Sequence, residues 1–418
     1  MKKELKGAIL HLNNHGAKVG GAEAFIWDLI NYTMALTRFK CYYATADGAN
    51  STVRVLNLKH VGPQRLHRLW FGLRRISLEL FNRALAIDDD PLSHISLCRL
   101  IQDVNPDVVH LHNISHLSYS TVLQVLHRKA VNSLATCHDF TLICPKQDLL
   151  TSSMEVCDQR DWSKCVPCLN KRLERKLSPI VSKRLTQQME RRVALLKDAD
   201  VMLIAPCEAM KHVFARYQIP LNNIKVIYYG VDTGKFRPVK TKKNPPPYVL
   251  FTGRLMKNKG ILDYLQVASQ YKRKYGDEVK FKLIGGYVRN PHVQSLGWLP
   301  RDALPTYYSQ SLAVLALTYV PPGIGLAPLE AMACGSALIA YKVPGAEEFI
   351  QDGENGLLVE PGDLNGIVEK IRMLKENGKF LTEIRRKARE NVERKFPLDK
   401  ALKKYLTLYH SFGLNDGA

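Results

Sequence analysis

Four short segments concentrate residue types able to bind or stabilise charge. VPPGIGLAPLEAMACG (Val320 to Gly335) is a glycine- and proline-rich turn running into an alanine-rich helix start with one acid, Glu330. The first N–H groups of a helix lack internal partners, so such a start can hold an anion. In FTGRLMKNKG (Phe251 to Gly260), Arg254 and Lys259 stand five residues apart just beyond a strand-like stretch. Two cations there can clamp a diphosphate, although solvated cations at a turn are the plainer reading. GGAE (Gly20 to Glu23) sets two glycines at another helix start, where backbone can approach a phosphate or sugar closely; a simple tight turn is equally consistent. TCHDF puts His138 at the end of a buried-type strand. There it can bond hydroxyls or stabilise charge, or be a satisfied structural histidine.

The elements that must position these residues alternate. An apolar strand from Ala8 to Leu12 precedes the Gly16 to Gly21 turn, and Phe25, Ile26, Leu29 and Ile30 follow at helical spacing. PDVVHLHN, VNSLATCHDF and VMLIAP read as strands buried on both faces. The alternation restarts with PYVLFTG, GILDYLQVASQYKRKY, VKFKLIGG, LAVLALT, SALIAYKV and NGLLVEPG. The fold class is therefore α/β with parallel sheets, in two halves. PVKTKKNPPP (Pro238 to Pro247), with four prolines and three lysines, reads as the linker between them.

A chain of 418 residues exceeds what one hydrophobic core supports. No apolar run reaches the ~18 residues of a membrane span. MKKELKG leads into a strand without a signal-peptide core, so the expected location is the cytoplasm. The net charge of +21 directs the chain toward phosphate in a substrate, an anionic lipid or a nucleic acid. Aromatics make up only 8% and are not interleaved with basic residues, so nucleic acid is not the expected partner.

Taken together, GGAE, DVVHLHN, ATCHDFTLICP, KVIYYGVDTGKFRP, VLFTGRLMKNKG and GLAPLEAMACG with VPGAEEFIQDGENGLLVEPGD resemble the retaining glycosyltransferases of family 4 over nearly the whole chain. The resemblance implies the GT-B fold, two Rossmann-like doubly wound domains facing a central cleft. It implies an acceptor-side domain over 1–228, a sugar-nucleotide-binding domain over 229–397, and a terminal helix over 398–418 packing back on the first domain. Arg254 and Lys259 would hold the diphosphate, Glu330 the ribose hydroxyls, and the backbone at Gly325 and Leu326 the phosphates and sugar. His138 would contact the transferred sugar, and Gly20 and Gly21 would border the reaction centre. The nucleotide sugar is a substrate, and neither cofactor nor metal is implied. The acceptor would be a glycan or a lipid-linked sugar for cell-surface polysaccharide, built peripherally at the inner membrane face. A catalytically inactive homologue and a basic nucleic-acid-binding protein are the competing readings.

Two positions depart from the family pattern. Its acid–x7–acid motif places an acid eight residues before Glu330, where this chain has Pro322. Its Pro-Asn before Gly-Val-Asp is Tyr228 and Tyr229 here. Two further segments stand outside the motifs. Cys144, Cys157, Cys165 and Cys168 fall within one 25-residue stretch, with CVPC a zinc-type pair, and are read either as a zinc site or as ordinary thiols. The other cysteines, Cys41, Cys98, Cys137, Cys207 and Cys334, are expected to pack as small hydrophobes. Gly62 to Leu85 reads as an amphipathic basic helix, either packed on the sheet or lying on an anionic membrane.

Overall fold

The computed structural model describes residues 7–14, 20–47, 52–57, 91–114, 119–158, 161–173, 176–198, 201–240, 245–322 and 324–414. The expected Gly62–Leu85 helix lies outside them. Among the described residues no helix is long and apolar enough to cross a membrane.

The first half forms a seven-stranded sheet from β1 (Ala8–Asn13), β2 (Lys40–Asp47), β3 (Thr52–Asn57), β4 (Val108–Leu111), β5 (Asn132–Thr136), β6 (Val201–Ala205) and β7 (Ile224–Val226). Its order is β3-β2-β1-β4-β5-β6-β7, parallel except for the β2–β3 pair. The second half forms a six-stranded parallel sheet from β8 (Tyr248–Thr252), β9 (Lys280–Ile284), β10 (Val293–Ser295), β11 (Ala313–Ala316), β12 (Ala337–Tyr341) and β13 (Leu357–Val359), in the order β10-β9-β8-β11-β12-β13. Every residue of β4, β11 and β12 is buried, which is why these strands read as continuous apolar runs. This is the doubly wound architecture expected from the sequence.

Each sheet reverses its winding once, between β1 and β4 and between β8 and β11. Ligands of open α/β sheets bind beyond the strand ends at such reversals. The loop after β1 leads to Gly20, and the helix Gly21–Leu36 begins there. The loop after β8 carries Arg254 and Lys259, and the loop after β11 leads to the helix Leu326–Ala333. Three of the four motifs therefore sit next to a reversal of strand order, and His138 follows β5, one strand further along the first sheet.

The halves join at two crossings held together. Val231 N–H donates to the Phe396 carbonyl and Leu398 N–H to the Val231 carbonyl, at 2.9 and 3.0 Å. The helix Leu398–Ser411 then packs on the first half, where the Tyr409 hydroxyl lies 2.7 Å from His110 Nδ1 and the Tyr405 hydroxyl 3.1 Å from Thr136 Oγ1. A second tie comes from Glu348 of the second half. Its carboxylate accepts from the Glu208 and Ala209 N–H groups, both at 2.8 Å, and from the Tyr228 hydroxyl at 2.7 Å. It thereby satisfies the open start of the helix Glu208–Arg216 across the junction.

The Pro238–Pro247 stretch does not join the halves as its composition suggested. Phe236 is already fully buried in the second half, with the Arg301 guanidinium over its ring and its carbonyl facing Arg389. The prolines lead from there toward β8. Cys207 is fully buried in the core as expected, and it also caps the helix Glu208–Arg216, its sulfur accepting from Met210 N–H at 3.3 Å.

Candidate functional site

In the second half, two loops are stitched by backbone. Tyr319 N–H donates to the Asn258 carbonyl at 3.0 Å, and Thr318 Oγ1 donates to the same oxygen at 3.2 Å. Gly260 makes this approach possible. It has φ +75°, and a Cβ there would lie 2.1 Å from the Leu317 carbonyl oxygen. The loop bearing Arg254 and Lys259 is thus tied to the loop that enters the helix Leu326–Ala333.

Arg254 is exposed and Lys259 half-buried. Burial, then the neighbouring Arg254 charge, lower the Lys259 ammonium to about 8, and Asp139 partly offsets this. Asp139 belongs to the first half, immediately after His138. Burial raises its carboxyl, while hydrogen bonds from Thr141 and the charges of Arg254 and Lys259 act the other way. Asp139 Oδ1 accepts from Thr141 N–H at 2.8 Å, and Oδ2 accepts from Asn113 Nδ2 at 3.1 Å. The two cations of one half therefore face a carboxylate of the other.

His138 is the end of a chain of imidazoles. His11 Nδ1 lies 3.2 Å from His112 Nε2, His112 Nδ1 lies 3.2 Å from His138 Nε2, and His138 Nδ1 lies 2.9 Å from the Tyr229 hydroxyl. The Tyr229 ring stacks on His138 at 6.0 Å with an interplanar angle of 6°. His11 Nε2 is buried without a hydrogen-bond partner. A bare lone pair is tolerated there better than an orphaned N–H, which assigns the donor direction from His11 through His112 and His138 to Tyr229. Burial lowers His138 to about 4 and His11 to about 3, so these rings are neutral near pH 7. His138 is thus an uncharged ring near pH 7, and both its ring nitrogens are engaged within the protein.

His11, His110 and His112 bring their ligand nitrogens within 4.8 Å of one another. They do not fit a metal. His11 Nδ1 and His112 Nε2 bond each other, His110 bonds Tyr409 and Thr136, and all three rings are sealed in the core. They form the packed backing of His138.

Glu330 lies in the helix Leu326–Ala333 and is only 4% exposed. Arg301 donates to its Oε1 from Nε at 2.9 Å and from Nη2 at 2.7 Å. The remaining Arg301 Nη1 reaches Asp28 Oδ2 of the first half at 3.2 Å. Burial raises the Glu330 carboxyl and the Arg301 guanidinium pulls it back. Among the described residues no hydrogen bond reaches Glu330 Oε2, which leaves one carboxylate oxygen for a ligand hydroxyl.

The helix starts of the two halves meet. Gly20 caps the helix Gly21–Leu36, and Gly325 caps the helix Leu326–Ala333. A Cβ on Gly21 would lie 3.5 Å from Leu326 Cβ. The structure thus brings Gly20, Gly21, His138, Arg254, Lys259, Gly325, Leu326 and Glu330 to the facing strand ends of the two sheets. Pro322 is half-buried, and its Cβ would lie 2.8 Å from a Cβ built on Gly345. Sequence reasoning missed Asp139, His112, Arg301 and Asp28. The alternating histidines of VHLHN and the acid following His138 were the available signals.

Comparison with known proteins agrees with this geometry. The family description Glycosyltransferase Family 4 matches residues 19–235, and Glycosyl transferases group 1 matches residues 232–393. The N-acetyl-alpha-D-glucosaminyl L-malate synthase of Bacillus anthracis is 32% identical over 139 residues, covering 32% of this chain and 36% of that protein. The capsular polysaccharide biosynthesis glycosyltransferase CapM of Staphylococcus aureus is 25% identical over 245 residues, covering 53% and 64%. The chain thus spans less than two thirds of the length of these curated relatives. Sucrose-phosphate synthase of Thermosynechococcus elongatus superposes with a TM-score of 0.68 at 18% identity, over 98% of this chain and 99% of that one. HepE of Anabaena, solved in complex with UDP-glucose, gives 0.66 at 16% identity over 97% and 100%. At these identities the two structures establish the GT-B fold.

Proposed function

Because the chain belongs to glycosyltransferase family 4, we propose that it moves a sugar, with retention at the anomeric carbon, from a nucleotide-sugar donor to a glycan or lipid-linked acceptor in cell-surface polysaccharide synthesis. The observation that carries this reading is the opposition of the Arg254–Lys259 loop and the helix at Leu326 to Asp139 and Gly21 across one cleft. Relatives named for capsular polysaccharide and a neighbour solved with UDP-glucose support it.

In this reading Arg254, Lys259 and the backbone at Gly325 and Leu326 bind the diphosphate and stabilise the charge that builds on it as it leaves. Glu330 Oε2 accepts from a ribose hydroxyl while Arg301 holds the carboxylate in place. The acceptor hydroxyl attacks the anomeric carbon on the face from which the diphosphate departs. The bond from that carbon to the leaving oxygen breaks as the new one forms, and the acceptor proton passes to a phosphate oxygen. His138 meets the transferred sugar only by exchanging its bond to Tyr229, and it does so as a neutral hydrogen-bonding group.

A panel of sugar nucleotides tests this by thermal shift followed by product analysis. A bound donor at ~100 times its Kd stabilises the fold by about 2.7 kcal/mol. The expected result is stabilisation by one donor class and a product whose anomeric configuration matches the donor's. Stabilisation without transfer or donor hydrolysis would identify an inactive homologue. Salt-sensitive oligonucleotide binding with no response to any sugar nucleotide would move the chain to another class.

The +21 charge supports the membrane-side part of the proposal. Vesicles containing anionic lipid are expected to bind the chain at low salt and release it as salt rises, since exposed charges are screened within ~8–10 Å at physiological ionic strength. Equal binding to neutral vesicles, or none at low salt, contradicts that part.

A further inference from the structure

We propose that Cys144, Cys157, Cys165 and Cys168 form a structural tetrathiolate zinc site that ties together the long excursion between β5 and β6. Nothing in the donor reading requires this site, and it rests on separate observations.

The first is the turn at Cys144. Cys144 begins the tetrapeptide Cys-Pro-Lys-Gln, and Gln147 N–H returns to its carbonyl at 3.0 Å. Gln147 has φ +71° and Leu149 φ +55°, both left-handed and both non-glycine. Burial raises the Cys144 thiol to about 11, and the backbone N–H groups of Leu149, Lys146 and Gln147 partly offset this.

The second is the placement of the other three. Leu150 and Val156 pair as an antiparallel bridge, and Cys157 N–H donates to the Leu149 carbonyl at 2.7 Å. Cys157 therefore returns directly beside the Cys144 turn. Cys165 and Cys168 lie three apart in the first turn of the helix Cys165–Leu173, hence on one face, at the end that favours negative charge. Burial raises the Cys165 thiol to about 12, and Cys144, Cys157 and Cys168 are near enough to raise it further.

The third is the poverty of this segment in regular structure. Among the described residues between Thr136 and Pro179 it holds one short 3-10 turn, Trp162–Lys164, and one nine-residue helix. Such a stretch gains order from a crosslink. Four thiolates in tetrahedral array are a ligand set that selects zinc, and each thiol releases its proton to solvent on binding. Cys157, Cys165 and Cys168 are half-buried, so the ion can reach them. No three of the four sulfurs lie within 4.8 Å of one another, so binding draws them in by side-chain rotation. The site would brace the wall of the cleft, because the same segment begins with Asp139 and its Asp148 accepts from Asn258 Nδ2 at 3.3 Å.

The test uses the full chain purified without a metal-affinity tag and analysed for metal. About one zinc per chain is expected. Chelation is expected to lower Tm, and Co2+ alone added to the stripped chain is expected to give thiolate-to-metal charge-transfer absorption. C165S/C168S is expected to lose both metal and absorption, whereas C98S keeps them. Metal-free protein whose stripped form shows no cobalt–thiolate absorption would overturn the proposal. So would full metal retention in C165S/C168S, which would point to the histidine group, or disulfide pairing of the four, seen by mass after alkylating the unreduced chain. The cobalt spectrum and the mass are read on the unaltered chain and stand even where the double variant fails to fold.

Discussion

Alanine at Arg254 or Lys259 is expected to raise the Kd for a nucleoside diphosphate about tenfold or more. Each change removes a charge-assisted contact of roughly 1.5–3 kcal/mol, and ~1.4 kcal/mol is one decade in Kd. The two loops that carry and face these residues are held by backbone bonds at Asn258 and by the close approach at Gly260, so the truncations leave the cleft wall standing. Lys259 adds a pH signature. Burial and Arg254 lower it to about 8 in the free protein, and a bound diphosphate raises it again. Binding therefore takes up a proton above pH 8. Affinity should be full below about 8 and fall as pH rises through it, and Lys259→Arg, always protonated, should flatten the profile. Titration of the nucleoside diphosphate against wild type and the three variants checks both effects. Unchanged affinity in both alanine variants removes the diphosphate from this loop.

Glu330→Ala is expected to cut kcat/KM by about ten- to a thousandfold, as loss of a buried charged hydrogen bond would. The effect has two sources. The variant removes the ribose acceptor, and it also leaves the Arg301 guanidinium with Asp28 as its one carboxylate partner among the described residues. Arg301→Ala should separate them. It keeps the Glu330 carboxylate but frees it to rotate and unscreens it in a buried site, so a smaller loss is expected, of roughly tenfold. Pro322→Glu restores the acid of the family's acid–x7–acid pattern at a half-buried position crowded by Gly345. Its effect on kcat/KM should be smaller than that of Glu330→Ala and should appear as altered preference among donor sugars, because the ribose is common to all donors and the sugar is not. Steady-state assays of the three variants over a donor panel decide this. Full activity in Glu330→Ala places the nucleotide elsewhere than on the helix Leu326–Ala333.

The tyrosines at 228 and 229 show how a departure from a family pattern acquires a structural meaning. The sequence marked them as unusual and offered no account. In the folded chain Tyr228 bonds Glu348 across the junction of the halves, and Tyr229 closes the histidine chain by bonding and stacking on His138. Their consequence for His138, which has no ring nitrogen left over, follows only from those contacts.

The sequence by itself determined β1, β4, β5, β6, β8, β9, β11, β12 and β13 together with the glycine turns and helix starts near the site, because each is set by neighbours within a few residues, whereas β2, β3, β7 and β10 were not read from it. It also determined that Arg254, Lys259, Gly325 and Glu330 follow strand ends, since that order is written along the chain. What only the tertiary structure decided are the partners contributed from far away. Asp139 faces Lys259 across 120 positions, Asp28 meets Arg301 across 273, and Gly21 lies against Leu326. No local pattern encodes these pairings. They arise because two separately wound sheets present their reversal points to each other, and because the helix at Leu398 returns to the first half to hold them in that relation. Burial is likewise a property of the assembled core. It leaves His138 neutral and lowers Lys259 to about 8, although both read in sequence as ordinary titratable side chains.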